Sequence, residues 1–211
     1  MNSQQKLYKY PRTYHAPWSL GCTSDDKKHT SMEQFKNKRV IVTEKLDGEN
    51  TTLAPTKHYA RSLDSVNNGT RSWVSRLHSN ISFLLPQDYR VCGENVFCKH
   101  SIFYDNLETY FYGISRRKDT SCLSWDETLE WFSLLNITPV PVLYDGIYDE
   151  NLIKGLWPIA THEAEGYVIR LADSFEYDTF KLNVAKFVRK DHVQTQDHWS
   201  FQKIIPNQLL K

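Results

Sequence analysis

The run Arg39-Val40-Ile41-Val42-Thr43 leads into Glu44-Lys45-Leu46-Asp47-Gly48-Glu49-Asn50, and no other stretch narrows the possible folds as much. Successive β-branched residues favour an extended strand, and Asp-Gly shortly after the lysine supplies a sharp turn. The strand fixes the lysine backbone, and Gly48 lets the chain reverse behind it. A lysine amine is a nucleophile only when deprotonated, and burial near other cations lowers its pKa enough for that.

Further strand and turn units follow. Val40–Glu44 and Asn50–Leu53 flank the turn, and His58–Ser62, Tyr89–Phe97, Glu108–Ser115 and Pro139–Tyr144 also read as strands. Gly166–Leu171 and Thr179–Val188 read as two more, joined through the polar segment Asp173–Asp178. Asn67-Asn68-Gly69 is a turn. Apolar residues at 73, 74, 77, 81, 84 and 85 fall on one face of a helix over Trp73–Leu85, ended by Pro86. Ser124-x-x-Glu127 is a capping box for a helix over 125–135, and Asn151–Leu156 is a short helix. Residues 1–38 are polar and irregular, with Pro11, Pro17 and the charged patch Asp25-Asp26-Lys27-Lys28. The sum is an α+β chain dominated by antiparallel strands, with a single domain expected over 1–211.

Composition excludes several function classes. The net charge of +1 gives no overall electrostatic footprint of nucleic-acid binding, so any basic surface is local. Cys22, Cys92, Cys98 and Cys122 form no Cys-x-x-Cys pair and suit neither a zinc site nor a disulfide scaffold. Reduced thiols in a cytoplasmic protein are expected. No apolar run approaches the roughly 18 residues that span a bilayer, and the N-terminus lacks the apolar stretch of a signal peptide.

Lys45-x-Asp47-Gly48 resembles the first motif of the covalent nucleotidyltransferases: ATP-dependent DNA ligases, RNA ligases and mRNA capping enzymes. The later segments follow that superfamily's order. Tyr59-Ala60-Arg61-Ser62 is similar to its short arginine motif, and Gly93-Glu94 to its third motif. Tyr110-Phe111-Tyr112-Gly113-Ile114 resembles the strand whose aromatic stacks on adenine, with Gly113 where family members often carry Asp. Glu165-Gly166-Tyr167-Val168 resembles the fourth motif. The fifth, usually Lys-x-Lys, is met by Lys186, while Val188 stands where the second lysine belongs. Lys99-His100-Ser101-Ile102-x-Tyr104-Asp105-x-Leu107 and His192–Trp199 are similar to segments of RNA ligases rather than capping enzymes.

The resemblance implies a nucleotidyltransferase fold, an ATP-grasp-like ligase adenylylation domain with antiparallel sheets flanked by helices. A motif-bearing core would span 39–190, between an N-terminal extension over 1–38 and a C-terminal segment over 191–211. Neither flank is long enough for an OB barrel, so a stand-alone catalytic domain is expected, gripping nucleic acid by its own surface or through a partner protein. The implied reaction joins RNA 5′-phosphate and 3′-hydroxyl ends with ATP and Mg²⁺ or Mn²⁺. Lys45 takes AMP, and Asp47 meets the ribose or orients the lysine through a water and metal. Glu94 binds the ribose, Tyr112 stacks on the base, and Glu44 sits near the adenine edge. Arg61, Lys186 and a second cation hold phosphates. Arg189, Lys190 and Lys181 all remain open for that second cation, with Arg189 re-aimed by a bulge as one route. Glu165 acts through the metal, with Asn50 on a metal-bound water. Other readings are a minimal ATP-dependent DNA ligase, a GTP-using capping enzyme, a protein-modifying nucleotidyltransferase and a non-catalytic nucleic-acid-binding module.

Overall fold

The computed structural model of the protein describes residues 6–63, 69–156, 164–190 and 204–211. Its strands form two sheets. A five-stranded sheet runs in the order β1 (Tyr14–His15), β11 (Val184–Val188), β9 (Gly166–Leu171), β2 (Arg39–Lys45), β8 (Val142–Ile147). A six-stranded sheet runs β10 (Phe175–Glu176), β7 (Ser121–Cys122), β6 (Phe111–Lys118), β5 (Tyr89–Asn95), β3 (Glu49–Leu53), β4 (His58–Ala60). All these pairings are antiparallel except β1 with β11. The helices are α1 (Ser72–Ile81), α2 (Trp125–Leu135), α3 (Glu150–Gly155) and the single turn α4 (Phe180–Asn183). The expected mixed architecture with antiparallel sheets is what the chain forms. Among the described residues no helix is long and apolar enough to cross a membrane.

Alternation along the strands sorts side chains to opposite faces. On the five-stranded sheet Val40, Val42, Tyr167, Ile169, Ala185 and Phe187 point outward, onto Ala16, Phe35 and Ile153. On the six-stranded sheet Leu53, Val91 and Phe111 point outward onto Val74 and Ile81 of α1 and Phe132 and Leu135 of α2. The inward faces share an apolar cluster that joins Ile41 and Leu46 to Val96 and Tyr112. A cavity occupies the rest of the space between them.

Several local expectations hold closely. α2 opens with a full capping box: Glu127 N–H donates to Ser124 Oγ at 3.3 Å, and Ser124 N–H donates to Glu127 Oε2 at 3.2 Å. Asn136, left-handed at φ 52°, ends it. Other boundaries move. α1 stops at Ile81, and Ser82–Leu84 form a 3-10 turn before Pro86. The strand expected over 108–115 lies at Phe111–Lys118, and the one expected over 139–144 begins only at Val142, past two prolines that cannot donate to a ladder. Thr179–Val188 is not one strand. Tyr177–Thr179 is a 3-10 turn and Phe180–Asn183 a helical turn, so β11 starts at Val184. Phe180 and Val184, four apart, both enter the cluster with Phe175, and Asn183 Nδ2 donates to the Thr179 carbonyl at 2.9 Å. Those contacts favour a turn of helix over an extended chain. The segment before residue 38 is less irregular than its composition suggests. His15 N–H donates to the Lys27 carbonyl and His29 N–H to the His15 carbonyl, both at 2.8 Å, and Tyr14–His15 adds β1 beside β11. Asn67, Asn68 and the His192–Trp199 signature lie outside the described residues.

Candidate active site

β2 and β9 pair Lys45 directly with Gly166, which brings Glu165 beside the lysine. A side chain on Gly166 would meet the Phe187 carbonyl at 2.0 Å, so only glycine permits this approach. The backbone of Glu165 is held on both sides: its N–H donates to the Lys45 carbonyl at 3.2 Å, and its carbonyl accepts from Arg189 N–H at 3.0 Å. The Lys45 ammonium then donates to Glu165 Oε2 in a short contact. Burial alone would lower the lysine's pKa. The carboxylates of Glu165, Glu94 and Asp47 outweigh it and hold the amine above its ordinary range.

Glu94 faces Asn50 across β5 and β3. Burial, reinforced by Glu165, Asp47 and Glu49 and opposed by Lys45, pushes its carboxyl up to about 8. Lys186 enters from β11, 4.0 Å from Asp26. Its pKa is lowered by burial and by Lys45, against the pull of Asp26 and Glu165. Asp26 also lies 3.4 Å from the buried His15, whose ring burial and Lys186 bring down to about 4, leaving it neutral. Arg61 follows β4, and its Nε donates to the Tyr10 carbonyl at 3.2 Å. Lys45, Glu44, Asn50, Arg61, Glu94 and Lys186 all line one cavity of about 260 Å³ between the sheets.

Asp47, Tyr112 and Arg189 do not line that cavity, although the Asp47 charge reaches Lys45 and Glu94. Asp47 is 7% exposed, and its Oδ2 accepts from the amides of Ser101 and Ile102 at 2.7 and 2.8 Å. Its own N–H donates to Tyr104 Oη at 2.9 Å, so the contacts seen tie the turn to the 101–104 segment. Tyr112 is 5% exposed within the inner apolar cluster and accepts at its hydroxyl from Glu108 N–H. A register shift leaves Ile114 unpaired, and Ile114, not Tyr112, lines the cavity. Arg189 contributes the backbone amide that holds Glu165, and its guanidinium is not among the cavity-lining groups.

The cavity also holds residues that the motifs did not mark. Tyr10, Arg12 and Asp26 come from the N-terminal segment, Ser115 and Arg117 from β6, Arg170 from β9, and Phe175 and Phe180 from the far end. Arg170 had a legible signal, a charge at an inward position of an otherwise apolar strand, whereas Arg117 lies beyond the strand expected over 108–115. Nothing in sequence pattern placed residues 10–26 at the cavity mouth.

The donor set fits a hard divalent cation. Asn50 Oδ1 is buried in the cavity without a hydrogen-bond partner, and the crowded Glu94 and Glu165 add carboxylate oxygens. Together these groups can neutralise a phosphate chain and present an amine to it.

A sequence profile of the RNA ligase family matches residues 38–188. The chain belongs to the RNA ligase family. No curated protein matches it by sequence. Among solved structures, the family member resembles an archaeal ATP-dependent RNA ligase at 16% identity and a TM-score of 0.58, covering 87% of this chain and 48% of that one. A putative ATP-dependent DNA ligase from Aquifex aeolicus aligns at 20% identity and 0.57, covering 87% and 50%. A variant Naegleria gruberi RNA ligase with ATP and Mn aligns at 19% and 0.54, covering 75% and 52%. At such identities the likeness is one of fold, and this chain spans about half the length of those proteins.

Proposed function

We propose that the chain is an ATP-dependent RNA ligase acting through a lysyl-AMP intermediate. The observation that carries this reading is the contact of Glu165 with Lys45, which lines one cavity with Glu94, Asn50, Arg61 and Lys186. Lys45 Nζ would attack the α-phosphorus of ATP. The N–P bond forms, the bond to the bridging oxygen breaks, and pyrophosphate leaves. A 5′-phosphate oxygen of RNA then displaces the lysine, which regains its proton. Attack by a neighbouring 3′-hydroxyl on that activated 5′-phosphate finally expels AMP.

The starting charge state matters. In the free protein Lys45 is an ammonium held by acids, so it must lose a proton before attack. A divalent cation on the oxygens of Glu165, Glu94 and Asn50 would supply positive charge that opposes the ammonium form and offsets phosphate charge. Lys186 and Arg61 stand at the same cavity to hold phosphates, and the lowered pKa of Lys186 lets it approach Lys45 at smaller cost. Glu94 is placed to accept from ribose hydroxyls. The family membership and the archaeal and Naegleria neighbours favour RNA as the nucleic acid.

Transfer of α-labelled ATP to the protein tests this directly. An acid-labile adduct is expected with magnesium or manganese and none with Lys45→Ala. Label persisting on Lys45→Ala would overturn the assignment. Joining of 5′-phosphorylated RNA but not DNA strands is expected, and the reverse would make the chain a DNA ligase.

A further inference from the structure

Two neighbouring arginines on β6 are both fully buried, and no guanidinium nitrogen of either has a hydrogen-bond partner. They face opposite ways. Arg116 points outward and lies flat between Trp131, 3.2 Å from the ring centroid, and Tyr89, 4.0 Å away. Both of its faces are therefore in contact with aromatic rings. Arg117 points inward and lines the cavity. The rings near it, Tyr177, Tyr10 and Phe180, stand further off at 4.6, 5.0 and 5.3 Å. Arg170, the other buried arginine of the cavity wall, is engaged: it donates to the carbonyls of Leu171 and Leu123 at 3.0 and 2.9 Å. Arg117 is thus a buried cation at the cavity without a hydrogen-bond acceptor, a costly state that a ligand acceptor would relieve.

Ser115, two residues earlier on the same face, repeats the pattern. Its hydroxyl is buried without a partner, and it too lines the cavity. The surroundings indicate what is missing. Ile114, Val168, Phe175, Phe180 and Val184 supply flat apolar walls around these two polar groups. Glu94, which feels the Lys45 charge, is at the other end: Arg117 pairs across from Arg90, and β5 runs four residues from there to Glu94, about 13 Å at strand rise. A flat heteroaromatic edge with ring-nitrogen acceptors matches apolar walls and a donor fork better than a phosphate does.

We infer that Arg117, assisted by Ser115, is the residue that reads the nucleotide base, donating to a ring nitrogen of the purine while the hydroxyl meets the adjoining exocyclic group. This deepens the proposed function and rests on it. The guanidinium would thereby gain the acceptor it lacks, and base selectivity would come from β6.

The test measures ATP KM for adduct formation and the inhibition constant of adenosine, in wild type and in Arg117→Met. Both constants are expected to rise by the same factor, about tenfold or more for a lost charged hydrogen bond, with labelling at saturating ATP retained. In wild type either 1-deaza-ATP or 7-deaza-ATP should be weaker than ATP, and that penalty should vanish in Arg117→Met. Ser115→Ala should give a smaller rise, and Arg116→Met, on the opposite face, none. Unchanged constants in Arg117→Met overturn the inference, as does a loss confined to ATP, which would make Arg117 a phosphate contact. If Arg117→Met fails to fold, wild type still decides, since two deaza analogues as tight as ATP leave neither ring nitrogen beside the exocyclic amine being read. Absence of any ATP adduct on wild type is a different failure, and it removes the underlying ligase reading.

Discussion

The two faces of the same strands carry opposite chemistry. On β2, β9 and β11 the outward residues are Val40, Val42, Tyr167, Ile169, Ala185 and Phe187, all packed. The inward residues between them include Lys45, Arg170 and Lys186. β6 repeats the contrast, with Phe111 outward and Ser115 and Arg117 inward. Apart from Arg116, which two aromatic rings hold, these outward positions follow the rule that buried faces are apolar. Inward positions break it and retain charges at a cost in stability. Such a departure makes sense where the charges meet a ligand. The outward face should therefore control stability alone, while the inward face should trade stability against chemistry.

The largest expected effect comes from the outward face. Phe132 is 1% exposed and packs between α2 and β6, where Gly113 leaves room for its ring. Phe132→Ala should lower unfolding free energy by about 3–5 kcal/mol, read from denaturant midpoints. Below the transition its ATP KM should stay at the wild-type value. A changed KM with unchanged stability would erase the division between faces. Asp47 should give a smaller effect. Asp47→Ala leaves the Ser101 and Ile102 amides without their carboxylate, costing about 1–3 kcal/mol. Hydrogen exchange at those two amides should quicken, and Asp47→Asn, which keeps an acceptor oxygen, should restore most of the protection. Unchanged exchange at those amides in Asp47→Ala would show that the carboxylate does not anchor the segment.

The outward face was the legible part. Runs rich in β-branched residues such as Val40–Glu44 and Gly166–Leu171 read as strands, and Ser124 with Glu127 marked the start of α2. Lys45, Glu94, Glu165 and Lys186 were found by motif and do meet in space. What escaped depends on long-range contact. Asp26 reaches Lys186 only because β1 pairs with β11, a pairing of a two-residue strand that local pattern cannot show. Tyr112 reads as a cavity residue until the register shift beside it places Ile114 there. The α4 turn escaped because Phe180 and Val184 pack on residues distant in sequence, against a run that otherwise looks like strand.

A third effect has the opposite sign and bears most directly on the inward face. Glu94 keeps its proton in the folded protein up to about pH 8, whereas an unfolded glutamate loses it near 4.5. Between those values the folded state binds more protons than the unfolded one, so stability falls as pH rises through the window. Glu94→Gln removes the titration and keeps the shape. Its Tm should match wild type near pH 4, where both side chains are neutral, and exceed it at pH 8, the gap widening as pH rises from about 4.5. Adduct formation should fall in the same variant, because the carboxylate that burdens the fold is the one proposed to meet the ribose. A Tm difference independent of pH would mean that Glu94 is not held protonated. A stabilised variant with full activity would mean that the inward charges are not kept for chemistry.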